Sequence, residues 1–152
     1  MTDTQYAGRA RPIDDVSVGE KLPDLEFPIT VYRLVMEAGA NRDFNSIHHN
    51  SEYARATGAP EMYANTLFLM GMWERSVRDW AGSAAEIIAI RGFRMGRFSV
   101  AGTTTKVRGT VAAVTKATGE VTIELRCEDE MGITVGPGEV VVRFPVTKSL
   151  SD

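Results

Sequence analysis

Apolar and polar positions divide the 152-residue chain into a helical first half and a stranded second half. The clearest pattern is strict alternation of Val121, Ile123, Leu125 and Cys127 with Thr122, Glu124, Arg126 and Glu128. That period of two predicts a half-buried antiparallel strand. Before it, Thr103 to Val114 reads as a long strand entered from Gly102, with Lys116 to Glu120 as the connecting turn. Ile87 to Ile90 is a short apolar run, and Arg91 to Phe98 continues it with poorer alternation. Gly132, Gly136 and Gly138 read as turns before a closing strand, Val140 to Val146, in which Pro145 points to an edge or a strand end.

The first half has another rhythm. Residues 13–30 are irregular, with a short strand expected near Phe27 to Val31. Thr30 is placed to cap a helix starting at Val31 or Tyr32, with Leu34, Val35 and Ala38 facing inward and Gly39 and Asn41 weakening its end. Ser51 to Thr57 reads as a short helix capped by Asn50 or Ser51 and stopped by Gly58. Ala64 to Trp80 predicts a longer helix whose first half, ANTLFLMGMW, is apolar almost all round. A helix of that kind must be covered on every face, by a curved sheet or at a subunit interface. Gly82 ends it.

Helices followed by strands make an α+β pattern rather than alternating βαβ units. One long buried helix against a meander of four or five strands is the hot-dog arrangement. Length predicts one domain, over residues 13–148, after a tail at 1–12. An open-edged sheet with an exposed helix face predicts at least two chains.

Composition narrows the chemistry. The formal net charge of -3 argues against a nucleic-acid partner. The longest apolar stretch, Leu67 to Trp73, is far below a membrane span, so no membrane partner is expected. Cys127 is the one cysteine and falls on an apolar strand phase, which suits a buried thiol and a reducing, cytoplasmic setting. No Cys/His cluster suggests a metal, and no glycine-rich strand-to-helix turn suggests a nucleotide loop. Met62, Met70, Met72 and Met95 read as core or pocket filler.

The two histidines, His48 and His49, share one polar loop, 42–50, with Asp43 five residues ahead of His48. A carboxylate and an imidazole in one pocket can share a water, one accepting a proton and the other donating one. Asn45 is placed to hydrogen-bond the loop and fix its shape. From spacing alone, ordinary solvated turn residues explain the string equally well.

The string Asp43-Phe44-Asn45-Ser46-Ile47-His48-His49-Asn50, followed by Ala54 and Gly58, resembles the hydratase signature D-x-N-P-I-H-x-D of the MaoC-like, (R)-specific enoyl-CoA hydratase family. Val16 to Pro28 and Phe98 to Thr103 are similar to that family's lead-in and strand-entry segments. The resemblance implies a hot-dog enzyme in which Asp43 and His48 activate a water for addition across a trans-2-enoyl-CoA. Ala64-Asn65-Thr66 stands where the family has Ala-His-Gly, which implies the Thr66 backbone amide as oxyanion donor. Asn45, Asn65 and Arg94 are the implied substrate-binding residues. Arg94 belongs to a stripe with Arg91 and Arg97 that reads either as a solvated strand face or as a contact for coenzyme A phosphates. No cofactor is implied beyond coenzyme A as part of the substrate.

Three positions depart from the pattern: Ser46 for proline, Asn50 for aspartate and Asn65-Thr66 for His-Gly. Tyr63-Ala64-Asn65-Thr66-Leu67 and Asp79-Trp80-Ala81-Gly82 are similar to the small MaoC-type subunits of actinobacterial steroid side-chain hydratases, which pair with a larger hydratase-like chain. The resemblance therefore implies a second hot-dog chain, identical or not, as partner and a bulky, steroid-type acyl group as substrate. The rival readings are a hot-dog acyl-CoA thioesterase and a non-catalytic subunit that shapes a partner's active site.

Overall fold

The computed structural model describes residues 8–145. Its elements run β1 (Leu25–Pro28), α1 (Val31–Ala40), α2 (Ser51–Ala56), α3 (Thr66–Ala81), β2 (Glu86–Arg91), β3 (Thr104–Thr115), β4 (Glu120–Asp129) and β5 (Gly132–Arg143). Short 3-10 turns lie at Ile13–Asp15 and Ser46–His48. The five strands form one antiparallel sheet in the order β1-β3-β4-β5-β2.

The sheet follows from its alternation. Val121, Ile123, Leu125 and Cys127 are fully buried, and so are Val107 and Val111 on the neighbouring strand. They meet the inward side of α3, from which Leu69, Met72, Trp73, Val77 and Trp80 are buried. Each such side chain contributes roughly 1.5–3 kcal/mol by leaving water. This is the hot-dog arrangement, a long helix held in a curled sheet.

Side-chain caps start all three helices. The Thr30 hydroxyl accepts from the Arg33 amide, the Asn50 amide oxygen from Tyr53, and the Asn65 amide oxygen from Phe68. Gly82, with φ 91, ends α3 as expected.

Several expectations are corrected. Val35 is exposed, because α1 buries only Leu34 and Ala38 and turns Val31, Tyr32, Val35 and Met36 outward. The strand expected from Phe27 to Val31 lies earlier, at Leu25–Pro28, because Thr30 already caps α1. Residues 92–98 are loop rather than strand, held to the sheet by a Met95–Val135 bridge, by the Gly96 and Arg97 amides donating to the Thr134 carbonyl, and by the Arg97–Asp129 pair. Gly136 and Gly138 lie inside β5 rather than in turns, while Gly132 opens β5 directly after the turn at 130–131. There a Cβ on Gly138 would sit 2.5 Å from the Arg91 carbonyl, so glycine permits the close approach of β2 to an irregular part of β5. The last strand consequently runs Gly132–Arg143, is interior to the sheet, and ends before Pro145.

Of the tail expected at 1–12, residues 1–7 lie outside the described residues, as do 146–148 at the far end of the expected domain. Residues 8–12 are tied to the C-terminal end of α3. The Gly8 amide donates to Ser83 Oγ, and the Arg11 amide to the Ala81 carbonyl. Among the described residues, no helix is long and apolar enough to cross a membrane.

Candidate active site

The polar loop after α1 is shaped by its first residues. Arg42 adopts φ 54, a left-handed conformation uncommon outside glycine. The chain reverses there, and the Asp43 amide donates back to the Ala38 carbonyl. The Asn45 side chain accepts from the Ile47 amide and starts the 3-10 turn that carries His48. Its expected role in shaping the loop is therefore seen, while the side chain itself is exposed.

These turns bring Asp43 and His48 together. His48 Nε2 lies 3.1 Å from Asp43 Oδ2, with the imidazole buried and the carboxylate 38% exposed. On the other side of the ring, His48 Nδ1 is 2.8 Å from the Tyr63 carbonyl. A carbonyl only accepts, so Nδ1 carries a proton and Nε2 is left to the carboxylate. A proton held between Nε2 and Oδ2 completes that contact. Without it two acceptors would face each other at 3.1 Å, an unfavourable contact. The pair is thus built to exchange one proton with a water at a half-open carboxylate. His49 is exposed, its Nε2 3.3 Å from the Phe44 carbonyl.

Tyr63 is the residue whose importance the motif did not signal, although it stands in the resemblance string. Its carbonyl orients His48, and its ring meets the imidazole edge-on at 5.3 Å and Phe98 at 4.4 Å. Burial first, and then the negative charge of Asp43, push its hydroxyl above the ordinary value of 10. The Tyr63 amide donates to Ile47, while the neighbouring Ala64 amide donates to Ser99 and the Ala101 amide to Met62. The strand-entry segment expected at Phe98 to Thr103 thereby serves as the shelf on which residues 62–64 rest. Three residues past Tyr63 the chain enters α3, so the proton-handling pair and the helix start share one rigid segment.

The helix start carries Asn65 and Thr66. Thr66 is exposed, with its hydroxyl 3.8 Å from Met95 Sδ. Its amide belongs to the first turn of a 16-residue helix, where backbone N–H groups lack helical acceptors and the dipole is positive. Asn65 is buried and doubly held. Its Oδ1 accepts from the Phe68 amide at 2.8 Å and from Asn41 Nδ2 at 3.3 Å. Its Nδ2 is buried with no partner. Leaving a buried donor unpaired costs about 1–3 kcal/mol.

The stripe of arginines divides. Arg97 is engaged by the buried carboxylate of Asp129 at 3.2 Å, whereas Arg91 and Arg94 are exposed. Arg94 is adjacent to Met95, the residue that touches Thr66. A groove of about 370 Å³ runs beside α3, with Phe27, Leu67, Phe68, Gly71 and Met72 along it and Asn41 on its wall. Two of the methionines expected to be filler, Met62 and Met72, are core, and Met95 is exposed. Cys127 is buried, which pushes its thiol up to about 12, outweighing the opposing contact with Trp73. Among the described residues, no group of three or more His, Cys, Asp or Glu is placed to hold a metal ion.

Known proteins carry the same fold and, in one case, much of the same sequence. No family model matches the chain. The beta subunit of 3-oxo-4,17-pregnadiene-20-carboxyl-CoA hydratase from Mycobacterium tuberculosis is 35% identical over 115 residues, 76% of this chain and 87% of that one. A chain in the crystal structure of the ChsH1-ChsH2 complex from the same organism superposes with a TM-score of 0.80 at 32% identity, covering 86% of this chain and 99% of that one. The (R)-hydratase PhaJ1 from Pseudomonas aeruginosa superposes equally well, with a TM-score of 0.80 over 93% and 92% of the two chains, at 21% identity. The last likeness is one of fold, whereas the first extends through most of both sequences. Identity at that level across a shared hot-dog architecture places this chain in the MaoC-like enoyl-CoA hydratase/dehydratase family.

Proposed function

We propose that this chain is the catalytic subunit of an enoyl-CoA hydratase that adds water across the double bond of a trans-2-enoyl-CoA thioester. The observation that carries the reading is the 3.1 Å contact between His48 Nε2 and Asp43 Oδ2. In the proposed reaction, Asp43 and His48 hold the attacking water. Its oxygen bonds to C3, one O–H bond breaks, and a proton reaches C2 through the same pair. Charge that builds on the thioester oxygen is met by the Thr66 amide at the positive end of α3. No electron is transferred, so the proposal includes no redox cofactor, and coenzyme A enters only as part of the substrate. Arg94 is assigned to the coenzyme A phosphates and Asn45 to the rim of the pocket. The reverse reaction, dehydration, uses the same groups.

The acyl group is proposed to lie in the groove beside α3, where Phe27, Leu67, Phe68 and Met72 offer an apolar side to a bulky ring system and Glu37, Asn41 and Arg75 a polar one. Support for a steroid-type substrate comes from the relative named as a pregnadiene-carboxyl-CoA hydratase subunit. That relative is a beta subunit, and a second similar chain was solved as part of a two-component complex. A complex with another hot-dog chain is therefore part of the proposal, as is a cytoplasmic location. The outward apolar residues of α1 suit a chain that buries more surface on assembly.

The test is a panel of enoyl-CoA thioesters, from crotonyl to steroidal, assayed with and without candidate partner chains. Loss of enoyl absorbance with a 3-hydroxyacyl-CoA product is expected. Release of free coenzyme A thiol without hydration would show a thioesterase instead. The buried, weakly acidic Cys127 keeps the protein's own thiol from masking that signal.

A further inference from the structure

Asn41 fixes which way the Asn65 amide faces. Asn41 Nδ2 lies 3.2 Å from Glu37 Oε2 and 3.3 Å from Asn65 Oδ1. A carboxylate needs a donor, so the Asn41 atom between them is its NH2 group, with one hydrogen for each neighbour. The Asn65 atom facing it must then be the oxygen. The Phe68 amide, 2.8 Å away, makes the same demand on that oxygen. Two independent donors therefore exclude the flipped amide, in which NH2 would meet NH2 and N–H. What remains is the Asn65 NH2 group, 4% exposed as a residue and without a partner. It belongs to the residue directly before the free amides of α3, next to exposed Thr66, and its hydrogen-bond neighbour Asn41 lines the groove. A cap serves its helix with an oxygen alone, as serine does. The fixed NH2 has no part in capping.

We propose that the Asn65 side-chain amide is a second hydrogen-bond donor to the thioester oxygen, beside the Thr66 backbone amide. Glu37 and Asn41 are positioning residues that keep its NH2 turned toward the ligand. This rests on the hydratase reading for the identity of the oxygen. Two donors converging on one carbonyl oxygen hold it in place and strengthen as it gains negative charge, whereas one donor leaves it free to swing. The Asn-Thr pair at this helix start is then a replacement donor set, with the side chain supplying what a more closely approached backbone would otherwise provide.

The experiment uses the full chain in the assembly in which it purifies. The probes are trans-2-octenoyl-CoA for turnover and octanoyl-CoA labelled with 13C at the thioester carbonyl for infrared difference spectra. Asn65→Ser keeps the capping oxygen and Asn65→Asp keeps the shape, and both remove the NH2 group. Each is expected to lower kcat about 100-fold, with KM changed by less than about threefold. The downward shift of the bound carbonyl stretch is expected to shrink in both. Asn41→Ala, which frees the amide to turn, is expected to weaken the carbonyl shift and lower kcat about tenfold with KM unchanged. Melting curves that stay within about 3 °C for Asn65→Ser separate this role from capping. Wild-type kcat and an unchanged carbonyl shift in both Asn65 variants overturn the inference and leave a buried water as the partner of Nδ2. A wild-type protein that does not shift the carbonyl at all overturns it too. A normal carbonyl shift that depends on Asn65, with no hydration of octenoyl-CoA, sinks octenoyl hydration and leaves the donor assignment standing.

Discussion

The two ends of α3 are built on opposite terms. At the C-terminal end the Trp80 indole, the Glu20 carboxylate and the terminal nitrogens of Arg11 answer one another within the chain. Trp80 Nε1 donates to Glu20 Oε1 at 2.8 Å, Arg11 pairs with the same oxygen at 2.6 Å, and the Arg11 guanidinium lies 4.9 Å over the Trp80 ring. The Arg11 amide closes the Ala81 carbonyl, and Phe144 meets Trp80 edge-on. A cation there also complements the negative end of the helix. At the N-terminal end Thr66 and Leu67 are exposed, Asn65 Nδ2 has no partner, and the Asp43 carboxylate is half open. One helix thus has an end that holds the fold together and an end that holds groups in readiness. On the proposed reading the division follows from the dipole, since the positive end is the one useful to a developing oxyanion.

Substitutions at the two ends should therefore separate activity from stability. The largest effect on turnover is expected from Asp43→Asn and His48→Ala, each lowering kcat by about 10²–10⁴-fold, or roughly 3–5 kcal/mol in the barrier, as removal of a proton-transfer group does. Their melting temperatures should fall by only a few degrees. Near-normal hydration by both variants would remove the pair from the mechanism.

At the closed end Trp80→Ala should behave in the opposite way, costing roughly 3–5 kcal/mol of stability by denaturant titration. Its kcat per folded molecule should stay near that of the wild type, and a selective loss of kcat without loss of stability would erase the contrast. Glu20→Gln sharpens the same end at smaller cost. Burial pushes the Glu20 carboxyl up, yet the bonds from Trp80 and Arg11 outweigh it and hold the group below its ordinary 4.5. A depressed carboxyl stabilises the fold above its unfolded value and loses that contribution as pH falls through its folded value. The variant should be less stable than wild type by about 1–2 kcal/mol at pH 7, with the gap closing below about pH 4.5. A gap independent of pH would show that the carboxylate charge does not matter.

The smallest effect belongs to the open flank of the helix. Gly71 faces the groove, with nothing within 4 Å of a Cβ built there. Gly71→Leu should raise stability by about 0.5–1 kcal/mol through helix propensity. It should also cut kcat/KM for the bulkiest enoyl-CoA about tenfold more than for crotonyl-CoA. Equal losses across the panel would move the acyl group elsewhere.

Much of this was legible from local chemistry. The alternation through Cys127, the caps at Thr30 and Asn50, and the stop at Gly82 each depend on a few neighbouring residues, and each is seen, whereas Asn65, read as part of the helix, turns out to cap it. Asp43 and His48 were legible for a related reason, because five residues of loop span them. Where the reading went astray, a long-range contact decided. Gly136 and Gly138 resemble turn residues, yet they sit in a strand, where Leu125 and Trp73 crowd the first and the end of β2 at Arg91 crowds the second too closely for a side chain. Val35 has the spacing of a core residue, yet among the described residues it remains 49% exposed.

The sequence by itself determined the class of fold, the presence of the main helix with its stop at Gly82, and the candidate pair Asp43 and His48. Hydrogen-bonding caps and side-chain period are local properties, and they survive without knowledge of the rest of the chain. The tertiary structure alone decided that Tyr63 holds the histidine, that Asn41 fixes the face of Asn65, and that Arg97 is engaged by Asp129 while Arg94 is not. Those pairings join residues 15, 24 and 32 positions apart. No local rule links such partners. Only the curled sheet and the shelf beneath residues 62–64 bring them within hydrogen-bonding reach.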